Sequence, residues 1–132
     1  MPTNLDDLMP DDLWPQNIAE SKMVGPVSIL KGQAALLGDK TSQLVKGEVV
    51  TDIAGNNFIH HFYIVAPTLS YRYELFQVSH GVSFYPLSLK RPFETTAPML
   101  PSEDAFKQAL KDNFASPQTL NIVHSILAQV RS

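Results

Sequence analysis

The segment FIHHFYIVA at residues 58–66 constrains the fold more than any other part of this chain. Its side chains are apolar or aromatic at almost every position, and the segment stops at Pro67. Because successive side chains of a strand point to opposite faces of a sheet, both faces of this strand are apolar. We therefore predict a central strand that is covered on both sides. The N-terminal helix can cover one side, and the C-terminal helices, the N-terminal arm, another subunit or a partner must cover the other.

Three further runs of residues predict that this strand belongs to an antiparallel sheet. The run QLVKGEVVTDI (43–53) precedes it across the turn AGNN (54–57), and SYRYELFQVS (70–79) and VSFYPLSL (82–89) follow it. Short connections between consecutive strands favour antiparallel neighbours. Pro86 has no N–H group to donate, so the fourth strand is predicted to be an edge.

Helical patterns lie before and after these strands. Apolar residues recur at helical spacing from Pro26 to Leu37, and Leu36 widens the apolar side of this mostly buried helix. Gly38 is the predicted end of the helix, which could instead run on to Thr41 or Ser42. Ser102 and Ser116 are predicted N-caps of two later helices. The predicted fold class is therefore α+β, with an N-terminal helix, a four-stranded antiparallel meander sheet and two C-terminal helices.

Charge divides the chain into an acidic N-terminal arm at residues 1–20 and a single α+β domain at residues 21–132. The arm contains the repeated motifs DDLMP and DDLWP and has no Lys or Arg, whereas the domain has a slight excess of basic residues. These basic residues are not clustered, so nucleic acid is not predicted as a partner.

The acidic arm is predicted to bind another protein. Trp14 and Leu13 are its apolar anchors, and Asp11 and Asp12 supply charge that could cover a basic surface on a partner. The alternative is that the arm packs Leu13 and Trp14 onto its own domain.

The adjacent histidines His60 and His61 raise the question of a metal or catalytic site. In a regular strand they point to opposite faces, so they cannot chelate one ion together. Neither a metal nor any other cofactor is predicted, and no residue is assigned a catalytic role. His80 precedes Gly81 and is predicted to lie in a hairpin turn.

Two functions follow from these features. The first is a non-catalytic protein-binding domain, an adaptor or an immunity-like neutralising partner, which acts through its sheet face and acidic arm on another protein or a second copy of itself. The alternative is a small-molecule-binding or enzymatic domain with a pocket between sheet and helix, lined by His60, His61, Tyr71, Tyr73 and Glu74. Strand alternation predicts that Phe76 lies on the same face as Glu74.

The sequence also predicts where such a protein acts. It contains no cysteine, so it has no disulfide and no thiolate metal site. Its longest apolar runs are well below the ~20 residues that a membrane-spanning helix needs. The first residues do not resemble a secretory signal. We therefore predict a cytoplasmic protein without a membrane partner.

Overall fold

A computed structural model describes residues 10–132, in which three helices pack on one face of an antiparallel sheet. The elements in chain order are α1 (Pro26–Lys40), β1 (Lys46–Ala54), β2 (Asn57–Ala66), a 3-10 turn (Pro67–Leu69), β3 (Tyr71–His80), β4 (Leu87–Lys90), β5 (Met99–Leu100), α2 (Glu103–Phe114) and α3 (Pro117–Val130). This order confirms the predicted α+β fold class.

The strands form a meander in the order β1-β2-β3-β4-β5, with antiparallel neighbours throughout. The β1–β2 turn contains Gly55 at φ +61°, a conformation that glycine adopts without strain. The prediction that the fourth strand is an edge is wrong, because β5 pairs with β4 at Leu87↔Leu100. Pro86 lies just before β4, so its missing N–H does not interrupt the ladder.

An irregularity in the β2–β3 pairing changes which side chains share a face. Phe62 pairs with Phe76, whereas the next residue, Tyr63, pairs with Glu74, so Leu75 is an extra residue in β3. The prediction that Phe76 lies on the face of Glu74 is therefore wrong. Phe76 lies on the helix-covered face, opposite Phe62.

The centre of the core is a group of three phenylalanines. The rings of Phe62 and Phe76 stack with centroids 5.1 Å apart. Phe114, at the end of α2, lies 5.5 Å from the Phe62 ring and 5.9 Å from the Phe76 ring. The C-terminal helices therefore cover the same face of the sheet as α1 does.

Helix α1 approaches the sheet closely at Gly47 of β1. A Cβ atom at Gly47 would lie 2.5 Å from the Cα and Cβ atoms of Ala34 in α1 and 3.0 Å from the Phe62 ring. The helix begins at Pro26 as predicted, and it runs past Gly38 to Lys40, close to the longer of the two predicted ends. It is also less buried than predicted, since Leu36 on its widened apolar side is 46% exposed.

We expect Gly47→Ala to lower the free energy of unfolding by about 2 kcal/mol, because α1 must move away from β1 to admit the methyl group. Urea unfolding of the purified variant measures this loss. The control is Gly32→Ala in α1, the helix that packs on Gly47, where an added Cβ meets nothing within 4 Å. That change should leave stability unchanged or raise it by up to about 1 kcal/mol, because alanine favours helix. Equal losses in the two variants would contradict the close approach at Gly47.

The other face of the sheet carries no helix in the described residues. On β2 this face presents Ile59, His61, Tyr63 and Val65, all of which are half-buried. The alternating residues His60, Phe62, Ile64 and Ala66 are buried under the helices. Neither the C-terminal helices nor residues 10–20 of the arm cover this second face of the sheet.

Candidate functional site

The part of the acidic arm that the structure describes does not pack on the domain. Every residue in the range 10–24 is exposed. The exposed fraction is 89% for Leu13 and 70% for Trp14, so neither side chain is packed on its own domain. Residues 1–9, which include the first acidic pair of the arm, lie outside the described residues.

Short local hydrogen bonds shape the arm around Trp14. The backbone N–H of Trp14 donates to Asp12 Oδ1 at 3.1 Å, and the N–H of Ile18 donates to the carbonyl of Pro15 at 3.1 Å. An aspartate that accepts from the backbone two residues later is a common turn device. Asp12 therefore helps to hold the backbone that presents Trp14 to solvent, and Asp11 is exposed beside it.

Exposed apolar side chains are concentrated at this end of the described chain. Single exposed apolar residues are ordinary on a protein surface, whereas clusters of them mark contact sites. Between residues 13 and 24 the large exposed apolar side chains are Leu13, Trp14, Ile18, Met23 and Val24. Asp11, Asp12 and Glu20 lie in the same stretch of chain, so the segment is both apolar and acidic.

A hydrogen-bonded group centred on His61 lies on the helix-free face. His61 Nδ1 is 2.8 Å from Glu74 Oε1, and His61 Nε2 is 3.0 Å from Asp52 Oδ2. Carboxylate oxygens accept and do not donate, so both contacts are satisfied when the ring carries a proton on each nitrogen. The group bridges β1, β2 and β3, and it leaves neither ring nitrogen free for a substrate.

A second polar group lies beside the first on the same face. Arg72 donates from its guanidinium to Glu48 Oε1 at 3.1 Å, and its Cζ atom lies 4.0 Å above the Tyr63 ring. A guanidinium over an aromatic face is attracted by the charge distribution of the ring. The helix-free face therefore consists of half-buried apolar side chains next to the Arg72–Glu48 ion pair and the His61 group.

His60 points the other way and belongs to a buried chain of hydrogen bonds. His80 Nδ1 is 2.6 Å from the carbonyl oxygen of Gly81, which fixes a proton on that nitrogen. His80 Nε2 then accepts from His60 Nε2 at 2.8 Å, and His60 Nδ1 accepts from the Thr51 hydroxyl at 2.8 Å. Burial lowers the pKa of His60 to about 4, with further lowering by His80, Lys31 and His61.

The prediction that His80 is a turn residue is wrong. His80 is the last residue of β3, it pairs with Phe58, and only 7% of it is exposed. Its ring stacks on Phe58 with centroids 5.5 Å apart and meets the edge of Phe84 at 5.8 Å. In this position its Nε2 atom lies 2.8 Å from His60 Nε2 and accepts the hydrogen bond from that ring.

The five residues predicted to line a pocket do not come together. His61 and Glu74 meet on the helix-free face, whereas His60 is buried on the opposite side. Tyr73 pairs with Ile64 and Tyr71 with Ala66, which places both tyrosines towards the helix side at the other end of the strand from His60. Tyr73 packs against the core and Tyr71 is 45% exposed.

Two adjoining cavities instead lie between α1 and the C-terminal helices, on the helix-covered face. The larger measures about 470 Å³ and the other about 260 Å³, and both are lined by Gln33 and Phe114. The sheet residues Phe62, Ile64 and Leu75 contribute to the wall of the smaller cavity. We call the two cavities together the interhelical cleft. Neither cavity is lined by a histidine.

Three lysines line the interhelical cleft, and sequence reasoning did not identify them. Lys40 lines the smaller cavity, and Lys107 and Lys111 line the larger one. They come from the last turn of α1 and from one side of α2, and no acidic side chain is among the described residues that line the two cavities. The only sequence signal was the (i, i+4) spacing of Lys107 and Lys111, which places them on one side of a helix.

Comparisons of the chain with protein-family models, with curated proteins and with solved structures found no match. Within residues 10–132, no group of three or more His, Asp or Glu side chains is arranged to hold a metal ion. None of the helices in that part of the chain is long and apolar enough to cross a membrane.

Proposed function

We propose that this chain is a non-catalytic protein-binding domain that acts through its acidic arm and through the helix-free face of its sheet. The observation that carries the proposal is the exposure of Trp14 and its apolar neighbours in residues 13–24. Tryptophan is enriched among the residues that dominate binding energy at protein interfaces. An exposed tryptophan costs solvation free energy in the free protein, and a partner pocket removes that cost.

The chemistry of the arm specifies the kind of partner. Asp11 and Asp12 stand directly before Leu13 and Trp14. A complementary surface therefore has an apolar pocket with cationic side chains around it. Opposite charges of this kind raise the rate of encounter and suppress contacts with acidic surfaces.

The helix-free face is the second proposed contact surface. Its half-buried centre contains Ile59, Tyr63 and Val65, next to the hydrogen-bonded group of His61 and the ion pair of Arg72 with Glu48. An apolar centre with polar groups around it is the usual anatomy of a protein interface. The charges on this face are already paired within the chain, so it would contribute shape and apolar contact more than electrostatic attraction.

Non-catalytic action is favoured by the hydrogen bonding of the three histidines that lie on the sheet. His60, His61 and His80 each have both ring nitrogens within hydrogen-bond distance of another group of the chain. A general acid or base needs a ring nitrogen within reach of the substrate. We also propose a cytoplasmic location, as the sequence predicts.

The test is the affinity of the full chain for a partner captured with it and then purified. We expect Trp14→Ala to weaken that binding by about 2 kcal/mol or more, roughly thirty-fold, because an anchor side chain leaves its pocket. Calorimetric titration measures the loss. The melting temperature should stay nearly unchanged, since Trp14 is outside the core.

Phe93→Ala is the matched control. Phe93 is an aromatic residue with an exposed fraction of 61%, but it lies far along the chain from the arm. Its replacement should leave the affinity within about two-fold, which is the range of a side chain outside an interface. If the two variants bind equally well, the arm is not the contact and the proposal fails.

A further inference from the structure

The interhelical cleft and the acidic arm have complementary chemistry within one molecule. The cleft has an apolar wall and the lysines Lys40, Lys107 and Lys111. The described arm offers exposed Leu13 and Trp14 directly beside two aspartates. Lys107 already pairs with Glu103 at 3.1 Å, so Lys40 and Lys111 are the cations that the cleft offers to the carboxylates of the arm.

We propose that the arm of a second copy of this chain occupies the interhelical cleft, so that two copies exchange arms in a symmetric dimer. This inference rests on the proposed function and identifies its partner. Trp14 and Leu13 would enter the smaller cavity, where Phe62, Phe114 and Val123 present apolar surface. Asp11 and Asp12 would then lie near the lysines of the rim.

The arrangement of the free chain favours exchange over folding back. Residues 10–24 are all exposed, so the described arm stands away from the cleft of its own molecule. The stretch between Trp14 and the start of α1 at Pro26 spans up to roughly 40 Å when extended. The fifteen residues of α1 are only about 22 Å long, so the arm can reach the cleft of an adjacent copy.

Reciprocal exchange also explains why both surfaces are open on one molecule. Each copy gives one arm and receives one, so a two-fold axis closes the assembly at two molecules. Once the first arm has entered a cleft, the second arm–cleft contact forms within the same complex and is effectively intramolecular. The exposed apolar side chains of both copies are covered in the same step.

A charge-swap experiment tests the inference. One variant carries Asp11→Lys and Asp12→Lys in the arm, and the other carries Lys40→Glu and Lys111→Glu in the cleft. Sedimentation equilibrium of the full chain should show a concentration-dependent dimer for the natural sequence. Each variant alone should associate at least ten-fold more weakly, because like charges then face each other.

Mixing the two variants should restore the dimer. In the mixed dimer, the basic arm of one variant meets the acidic cleft of the other, and the remaining natural arm meets the remaining natural cleft. An arm that folds back onto its own domain gives no such rescue. The altered side chains are exposed, so both variants should fold as the natural chain does. Circular dichroism melting of all three proteins checks this.

Three results overturn the inference. The first is a natural chain that stays monomeric up to about 100 μM, well above the range of standard interfaces. The second is a dimer that persists in both variants, which would place the contact elsewhere, such as on the helix-free face. The third is failure of the mixture to associate. If a different purified protein binds and loses affinity with Trp14→Ala, the proposed function stands while the exchange fails.

Discussion

Replacing Phe62 with alanine is expected to lower the free energy of unfolding by about 3–5 kcal/mol. Phe62 is 1% exposed and contacts the rings of both Phe76 and Phe114, so its loss opens a void that three elements share. The neighbouring backbone cannot collapse easily into that void, because Gly47 already brings α1 into contact with the sheet. Urea unfolding monitored by circular dichroism measures the change.

Tyr63→Ala is the control for Phe62→Ala. Tyr63 is the next residue of β2, but it points to the helix-free face and lies under Arg72. Its truncation leaves a surface depression that water can fill, so the loss should be at most half of that for Phe62→Ala. A larger loss for Tyr63 would mean that the two faces of β2 have been assigned the wrong way round.

Local signals were sufficient to predict the three helices and four of the five strands of this fold. Pro26 begins α1, and the hydroxyls of Ser102 and Ser116 accept from the backbone N–H groups of Ala105 and Thr119. A proline at a helix start and a serine cap act within one turn of helix, so they can be read from a few residues. The strand order followed in the same way from short connections.

Two features of the sheet, the extra residue in β3 and the short strand β5, depend on pairing between distant parts of the chain and were not predicted. The extra residue Leu75 moves Phe76 to the core, although strict alternation places Phe76 beside Glu74. The two-residue strand β5 forms only because Met99 and Leu100 meet β4, and two residues carry no periodic signal. Such features depend on which partner a strand finds, and that information is spread over the whole chain.

The candidate binding surfaces also divide into one that local sequence signals could predict and others that depend on the fold. Trp14 and the aspartates of the arm could be picked out from the local sequence alone, because the role proposed for them depends only on their being exposed in one short segment. The interhelical cleft could not, because Lys40 and Lys111 come from helices that are far apart in the chain and close in the fold. The strand order alone allows His60 or His61 to meet Glu74, Glu48 or Asp52, and the register decides that Asp52 and Glu74 both contact the His61 ring.

Acid is expected to destabilise this protein through His60 before most carboxylates are protonated. The pKa of His60 falls from 6.5 to about 4 on folding, mainly because burial disfavours the charged ring. Between these two values the unfolded chain binds a proton that the folded chain does not, so stability falls as the pH falls. The pKa difference corresponds to about 3 kcal/mol of free energy of unfolding. This stability is present in full above pH 6.5 and is lost by about pH 4.

The hydrogen-bond chain explains why the folded protein resists this proton. The Gly81 carbonyl holds a proton on His80, which makes His60 the donor to His80 and Thr51 the donor to His60. A further proton on His60 requires the Thr51 hydroxyl to reverse, and it adds a buried positive charge near Lys31.

Urea unfolding at pH 7, 5.5 and 4 measures the loss of stability, and His60→Gln should remove most of the difference between pH 7 and pH 5.5. His61→Gln, on the open face, should retain it. If the acid sensitivity follows His61 and survives in the His60 variant, the buried chain is not the group that titrates.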